Sequence, residues 1–130
     1  IGTNMVLTPT DIQQMRQVPE LVFINCCHLG RTDPGVAGGA GGIGSQQQFN
    51  RLVANLAVQF IRMGVRAVIA AGWAVDDRAA TTFATSFYTQ LTRGRSFGTA
   101  VRLAREQTWR ESPNINTWGA YQCYGDPAFR

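Results

Sequence analysis

The sequence of 130 residues, with 45% hydrophobic and 15% charged residues, has the size and composition of one ordinary globular domain. No apolar run is long enough to span a membrane and the first residues lack a signal-peptide pattern, so we expect no membrane contact. The net charge of +4 comes from arginines scattered along the chain without a basic stripe, which argues against a nucleic-acid partner.

The first predicted elements are short. The apolar segment Met5–Leu7 precedes a helix whose start is marked by Thr8 as N-cap and Pro9 at the first helical position. A strand over Glu20–Cys27 follows. Its apolar run Leu21–Ile24 has no polar alternation, which is typical of a strand covered by helices on both faces.

The end of this strand carries Cys26, Cys27 and His28. Open α/β sheets place their chemistry where strands end, so a thiol nucleophile is one hypothesis and an inert buried thiol is the other. Thiol catalysis needs a base and backbone donors. His28 is the only histidine, and its side chain diverges from that of its neighbour Cys27, so the base of such a nucleophile lies outside these residues.

The cysteines suit neither disulfides nor a metal. Three cysteines, two of them adjacent, make a poor disulfide framework, and we expect a cytoplasmic setting. Successive strand residues point to opposite faces, so Cys26, Cys27 and His28 do not converge with Cys123 on a tetrahedral ion. We expect no metal site.

The segment Leu29–Gln46 is predicted to be a flexible, glycine-rich loop. It contains the pattern G-x-G-x-x-G at Gly39–Gly44. A dinucleotide site also needs its first glycine directly after a strand and an acid about twenty residues further on. Neither condition holds, because no acid lies between Asp33 and Asp76. We therefore expect no nucleotide cofactor.

The remaining chain alternates helices and strands. Apolar residues at helical spacing over Phe49–Ile61 predict a helix that ends at Gly64, and Val65–Ala71 is predicted to be a buried strand. A second candidate site loop, Gly72–Asp77, follows it, and a helix is predicted from about Arg78 to Arg93.

A further helix begins after Ser96 as N-cap, and Trp118–Tyr124 is predicted to be the last strand. The inner stripe of this helix comprises Phe97, Ala100, Val101, Ala104 and either Thr108 or Trp109. The order of elements predicts an α/β fold with a mostly parallel sheet.

Several segments resemble one family. Leu21–Cys27 followed by Gly30 resembles the cysteine-bearing strand of CHAT domains, the bacterial caspase-like (clan CD) cysteine peptidases often attached to TPR repeats. Phe60–Asp77 resembles the segment of that family around its tryptophan and aspartates, and Trp118 with Tyr124–Pro127 matches the closing pattern.

The resemblance implies a caspase-like three-layer α/β/α fold with a mostly parallel sheet. Residues 1–130 would form the C-terminal part of the domain, with the catalytic histidine in a missing upstream half, so that this segment alone would be inactive. The nucleophile falls on Cys27 rather than Cys26, and the Cys27 amide would be one oxyanion donor. No cofactor is implied.

The resemblance also implies a substrate-binding edge. Gly72, Trp73 and Ala74 would pair with a substrate backbone, Trp73 would wall a side-chain pocket, and Asp76 and Asp77 would favour a basic residue. The alternatives are that Trp73 belongs to the core and that the aspartates serve a helix N-terminus. The function implied is a cysteine endopeptidase acting on a protein or peptide, with a TPR region or regulator as a further partner. Its rival is a non-catalytic interaction or scaffold module.

Overall fold

The computed structural model describes residues 14–25 and 43–130. In this part of the chain the elements are β1 (Leu21–Ile24), α1 (Ile43–Arg62), β2 (Ala67–Ala71), α2 (Asp77–Thr92), α3 (Phe97–Glu111), α4 (Thr117–Ala120) and β3 (Tyr121–Gly125). The predicted segment Met5–Leu7, the helix after Thr8 and the tip Cys26–His28 lie outside the described residues.

The sheet has the order β1-β2-β3 and is mixed. β1 pairs with β2 in parallel, from Leu21 opposite Ala67 to Ile24 opposite Ala70. β3 pairs with β2 antiparallel, so the predicted mostly parallel sheet is correct only for the first pair. The reason is that two long helices, α2 and α3, follow β2. The first leads the chain away from the carboxyl end of β2 and the second returns it there, so the next strand runs in the opposite direction.

Helices cover both faces of the sheet. Ala67, Ile69 and Ala71 of β2 belong to the larger core cluster with residues of α2 and α3, whereas Val68 packs with Ala57 and Phe60 of α1. β1 shows the same division, with Leu21 and Phe23 on one face and Val22 and Ile24 on the other. The prediction from the apolar, unalternated strands is therefore confirmed, because helices cover both faces of the sheet.

Aromatic side chains fill the larger cluster. Phe83 and Phe87 of α2 are fully buried, and the ring of Phe83 stacks on that of Tyr121 with 4.0 Å between centroids. Phe23 lies 5.4 Å from Tyr121, which joins β1 to β3 across β2. Burial of each phenylalanine contributes about 1.5–3 kcal/mol, so this cluster is a principal source of stability.

The structure decides the open question on α3. Thr108 is fully buried and its hydroxyl donates to the carbonyl of Ala104 at 2.8 Å, whereas Trp109 is 51% exposed. Thr108 therefore completes the inner stripe, because it follows Ala104 by four residues and shares its face. Ser96 occupies the predicted N-cap position, but its hydroxyl donates to Thr99 Oγ1 instead of capping the main chain.

Two predicted boundaries change. The loop predicted through Gln46 ends earlier, since α1 already begins at Ile43 and the glutamines there are good helix formers. The strand predicted over Trp118–Tyr124 is wrong in its first half, because Trp118 lies in α4 and the strand begins at Tyr121.

The described helices include none with the length and apolarity that crossing a membrane requires.

Candidate functional site

The carboxyl edge of the β1–β2 pair brings several segments together. Because the two strands are parallel, Asn25 after β1 and Gly72 after β2 leave the sheet at the same edge. β3 starts there as well, since Tyr121 pairs with Ala71. Cys27 is two residues beyond Asn25 and lies outside the described residues. The structure thus describes the sheet edge that leads to Cys27.

Gly72 is held tightly by the segment that leads into β3. Its N–H donates to the carbonyl of Ala120 at 2.8 Å, and a Cβ atom at this position would lie 2.7 Å from Nε2 of Gln122. That nitrogen is the end of a flexible side chain, so a shift of Gln122 would make room for a larger residue here. The Gly72 amide is engaged within the chain, so any pairing of this edge with a substrate would begin after Gly72.

Trp73 lies between the core and the surface. It is half-buried and packs against the larger core cluster, and a Cβ atom on Gly119 would lie 3.8 Å from its ring. Its indole Nε1 is buried and has no hydrogen-bond partner among the described residues. Leaving such a donor unsatisfied costs about 1–3 kcal/mol. Ala74 beside it is exposed.

Asp76 is the N-cap of α2. Its Oδ1 accepts a hydrogen bond from the Ala79 amide at 2.9 Å, and its backbone is extended, as an N-cap requires. The main-chain amide of Asp76 donates to Oγ1 of the buried Thr117 at 3.0 Å. Asp76 therefore caps the start of α2, which is the role expected for the aspartates as an alternative to substrate binding.

Asp77 has a different environment. It is the first residue of α2, and its exposed carboxylate has no hydrogen bond or ion pair among the residues that the structure describes. It lines a pocket of about 380 Å³ between the end of β1 and the first turns of α2. The other lining residues are Asn25, Ala80, Thr81, Ala84 and Thr85. Among the described residues that line this pocket Asp77 alone is ionisable, and its charge favours a cation.

Sequence reasoning missed the contribution of α4. Thr117, Gly119 and Ala120 contact Asp76, Trp73 and Gly72 in turn, so this single helical turn supports the whole site loop. The available signal was Asn116, a residue type that favours helix starts, directly before Thr117. Across residues 14–25 and 43–130, no three His, Cys, Asp or Glu side chains are grouped to hold a metal ion.

The geometry defines an α/β domain with a candidate site at the carboxyl edge of a parallel strand pair. The family model of the CHAT domain matches residues 3–126, so this chain belongs to the CHAT domain family, a family related to caspase-like peptidases. The resemblance stated from the sequence motifs is thereby confirmed. Comparison with curated proteins and with solved structures gave no match.

Proposed function

We propose that this chain contributes the nucleophile and part of the substrate cleft to a caspase-like cysteine endopeptidase, with Cys27 as the nucleophile. The observation that carries the proposal is the parallel register of β1 and β2, which brings Asn25 and Asp77 to one pocket. Cys27 follows Asn25 by two residues, so its thiol belongs to a segment that starts at this pocket. Membership of the CHAT family supports the same chemistry.

In the proposed reaction the Cys27 thiolate attacks the scissile carbonyl carbon and a C–S bond forms. The oxyanion accepts a hydrogen bond from the Cys27 amide. The base that removed the thiol proton returns it to the leaving amine as the C–N bond breaks, and water then hydrolyses the thioester. His28 adjoins Cys27 and is poorly placed to act on it, so the proposed base is a histidine supplied by another part of the full-length protein.

The substrate edge is proposed to consist of Trp73 and Ala74. The Gly72 amide is engaged by Ala120, whereas the amides of Trp73 and Ala74 have no hydrogen-bond partner within the described part of the chain. An extended peptide added at this edge would take its main-chain hydrogen bonds from these two residues. The wall formed by the Trp73 ring would then lie beside the side chain of the substrate.

The proposed specificity is for a basic residue at the cleaved bond, selected by Asp77. Asp76 caps α2 and its carboxylate is used for that purpose. Asp77 is the acidic residue among the described residues that line the pocket beginning at Asn25. A lysine or arginine side chain supplies the charge-assisted hydrogen bonds that such a carboxylate accepts.

The test uses the full-length protein with an arginyl acyloxymethyl ketone probe and fluorogenic peptides that end in arginine or in aspartate. We expect labelling and cleavage of the arginyl compounds, and complete loss of both in Cys27→Ala. Cys26→Ala is the matched control and should keep most of the activity. If iodoacetamide alkylates Cys27 no faster than a model thiol at neutral pH and no peptide is cleaved, the non-catalytic interaction module is the correct function.

A further inference from the structure

A glutamine side chain of β3 lies over the start of the proposed substrate edge. Gln122 pairs with Ala70 of β2, and Gly72 follows Ala70 by two residues, so the two positions share one face of the sheet. A Cβ atom on Gly72 would lie 2.7 Å from Nε2 of Gln122 and 3.2 Å from its Cδ. The Gln122 amide therefore occupies the space that the missing side chain of Gly72 leaves beside the main chain.

A hydrogen bond to Tyr124 holds this amide in place. The hydroxyl of Tyr124 donates to Oε1 of Gln122 at 2.7 Å. Tyr124 follows Gln122 by two residues on the same face of β3, where it packs against the core cluster that includes Ala57 and Val68. Because Oε1 is engaged by the hydroxyl, Nε2 is the end of the amide that faces Gly72. A residue that packs in the core thus fixes the position of the amide.

We infer that Gln122 is a positioning residue for the substrate edge formed by Trp73 and Ala74, and that it acts by restricting Gly72. This inference rests on the proposed function. Glycine has more backbone freedom than any other residue, and here it stands directly before the two amides proposed to pair with the substrate. An extended peptide pairs with such an edge only while both amides keep their orientation.

The contacts around Gly72 come from different directions. Its N–H donates to the carbonyl of Ala120 at 2.8 Å. The Gln122 amide lies against it on the face of the sheet that α1 covers, whereas Trp73, the next residue, packs against the larger core cluster on the other face. Removal of the amide would open a gap on one face only. We therefore expect the turn to shift while the fold is retained.

The experiment compares Gln122→Ala with the parent in full-length protein, with the fluorogenic arginyl peptide as substrate. A shifted edge binds the peptide less well, so KM should rise by roughly tenfold while kcat changes little. Alkylation of Cys27 by iodoacetamide should be unchanged, because this small reagent does not pair with the edge. The matched control is Gln107→Ala, which removes a glutamine amide that donates to Glu111 on the exposed surface of α3. It should leave KM and kcat unchanged.

Two further substitutions separate positioning from a general loss of stability. Tyr124→Phe removes only the hydroxyl that holds the amide, so it should also raise KM, and it should add little when combined with Gln122→Ala. Gly72→Ala puts a Cβ atom where the amide lies, and the φ of Gly72 is not in the left-handed region, so alanine itself is tolerated there. In the double variant with Gln122→Ala the new methyl group fills the vacated space. Its KM should therefore be lower than that of either single variant.

Hydrogen exchange at the Gly72 amide provides a readout that needs no activity. Exchange should be faster in Gln122→Ala and slower again in the double variant with Gly72→Ala, because the turn is then held once more. The inference is overturned if Gln122→Ala keeps the KM and the exchange rate of the parent. It is also overturned if kcat, Cys27 alkylation and the urea midpoint all fall together, or if the double variant has a higher KM than both single variants.

A failure of the peptidase proposal gives a different result. The parent protein would then cleave no peptide, while the exchange rates at Gly72 would still show whether Gln122 holds this turn.

Discussion

The main-chain amide of Asp76 donates a hydrogen bond to the hydroxyl of Thr117 at 3.0 Å, across 41 residues of sequence. The bond joins the start of α2 to the start of α4, and Thr117 itself is buried. It therefore ties the loop with Trp73 to the turn that carries Trp118. The loop that contains the proposed substrate edge is thereby anchored at its far end.

Replacing Thr117 with valine tests that support. Valine keeps the shape of the side chain but removes the acceptor, which leaves the partly buried Asp76 amide unsatisfied at a cost of about 1–3 kcal/mol. Urea denaturation should show the loss in the free energy of unfolding. Thr92→Val is the control, because the hydroxyl of Thr92 is exposed and donates only within its own helix turn. Equal stabilities of the two variants would contradict the role given to Thr117.

Asp76 should stabilise the fold through the hydrogen bond by which it caps α2. Asp76→Ala removes the acceptor of the Ala79 amide and is expected to lower the free energy of unfolding by about 0.5–2 kcal/mol. Asp76→Asn keeps an equally good N-cap oxygen, so it should be close to the parent in thermal and urea denaturation. A loss of stability in the asparagine variant as large as in the alanine variant would show that the charge, not the cap, is what matters.

Asp77→Asn should change specificity and lower the free energy of unfolding by only about 0.3–1 kcal/mol, through the loss of a negative charge in the first turn of α2. A charge-assisted hydrogen bond is worth about 1.5–3 kcal/mol, so kcat/KM for the arginyl peptide should fall by roughly tenfold to a hundredfold. A peptide with an uncharged residue at the same position is the internal control. If both peptides lose activity equally, Asp77 does not select the basic residue.

The alkylation rate of Cys123 as a function of pH is an internal reference for the reactivity of the other cysteines in this chain. Burial of its thiol raises the pKa above the ordinary cysteine value, and the charge of Arg105 opposes that shift. A raised pKa means less thiolate at neutral pH, so iodoacetamide should alkylate Cys123 more slowly than a model thiol, with a rate that rises only at higher pH. Mass spectrometry of tryptic peptides over a pH series measures this. Arg105→Gln should move the profile of Cys123 further upward, since the opposing charge is gone.

The same series separates Cys27 from Cys123. An activated nucleophile should be alkylated faster than the model thiol at neutral pH, so the two cysteines should show profiles shifted in opposite directions. Parallel profiles, both slower than the model thiol, would favour the interaction module over the peptidase.

Local patterns in the sequence determined most of the framework. The unalternated run Leu21–Ile24 and the buried run ending at Ala71 predicted strands covered on both faces, and the spacing of three and four residues predicted the inner face of α3. These properties depend on neighbours along the chain and on the periods of strand and helix, so they are visible without a structure. The segments that resemble CHAT domains were likewise recognisable from the sequence alone, and the family match confirms them.

The tertiary structure alone decided how those segments are used. The direction of β3 depended on the return of the chain through α2 and α3, and the separation of Asp76 from Asp77 depended on which carboxylate the helix start engaged. Trp118 lies in a helical turn rather than in the predicted strand, and the first residue of that turn, Thr117, is bonded to Asp76. The direction of β3 and the position of Trp118 rest on contacts between residues far apart in sequence, which leave no trace in the local pattern. The capping bond of Asp76 is local, but only the structure showed which of the two aspartates forms it.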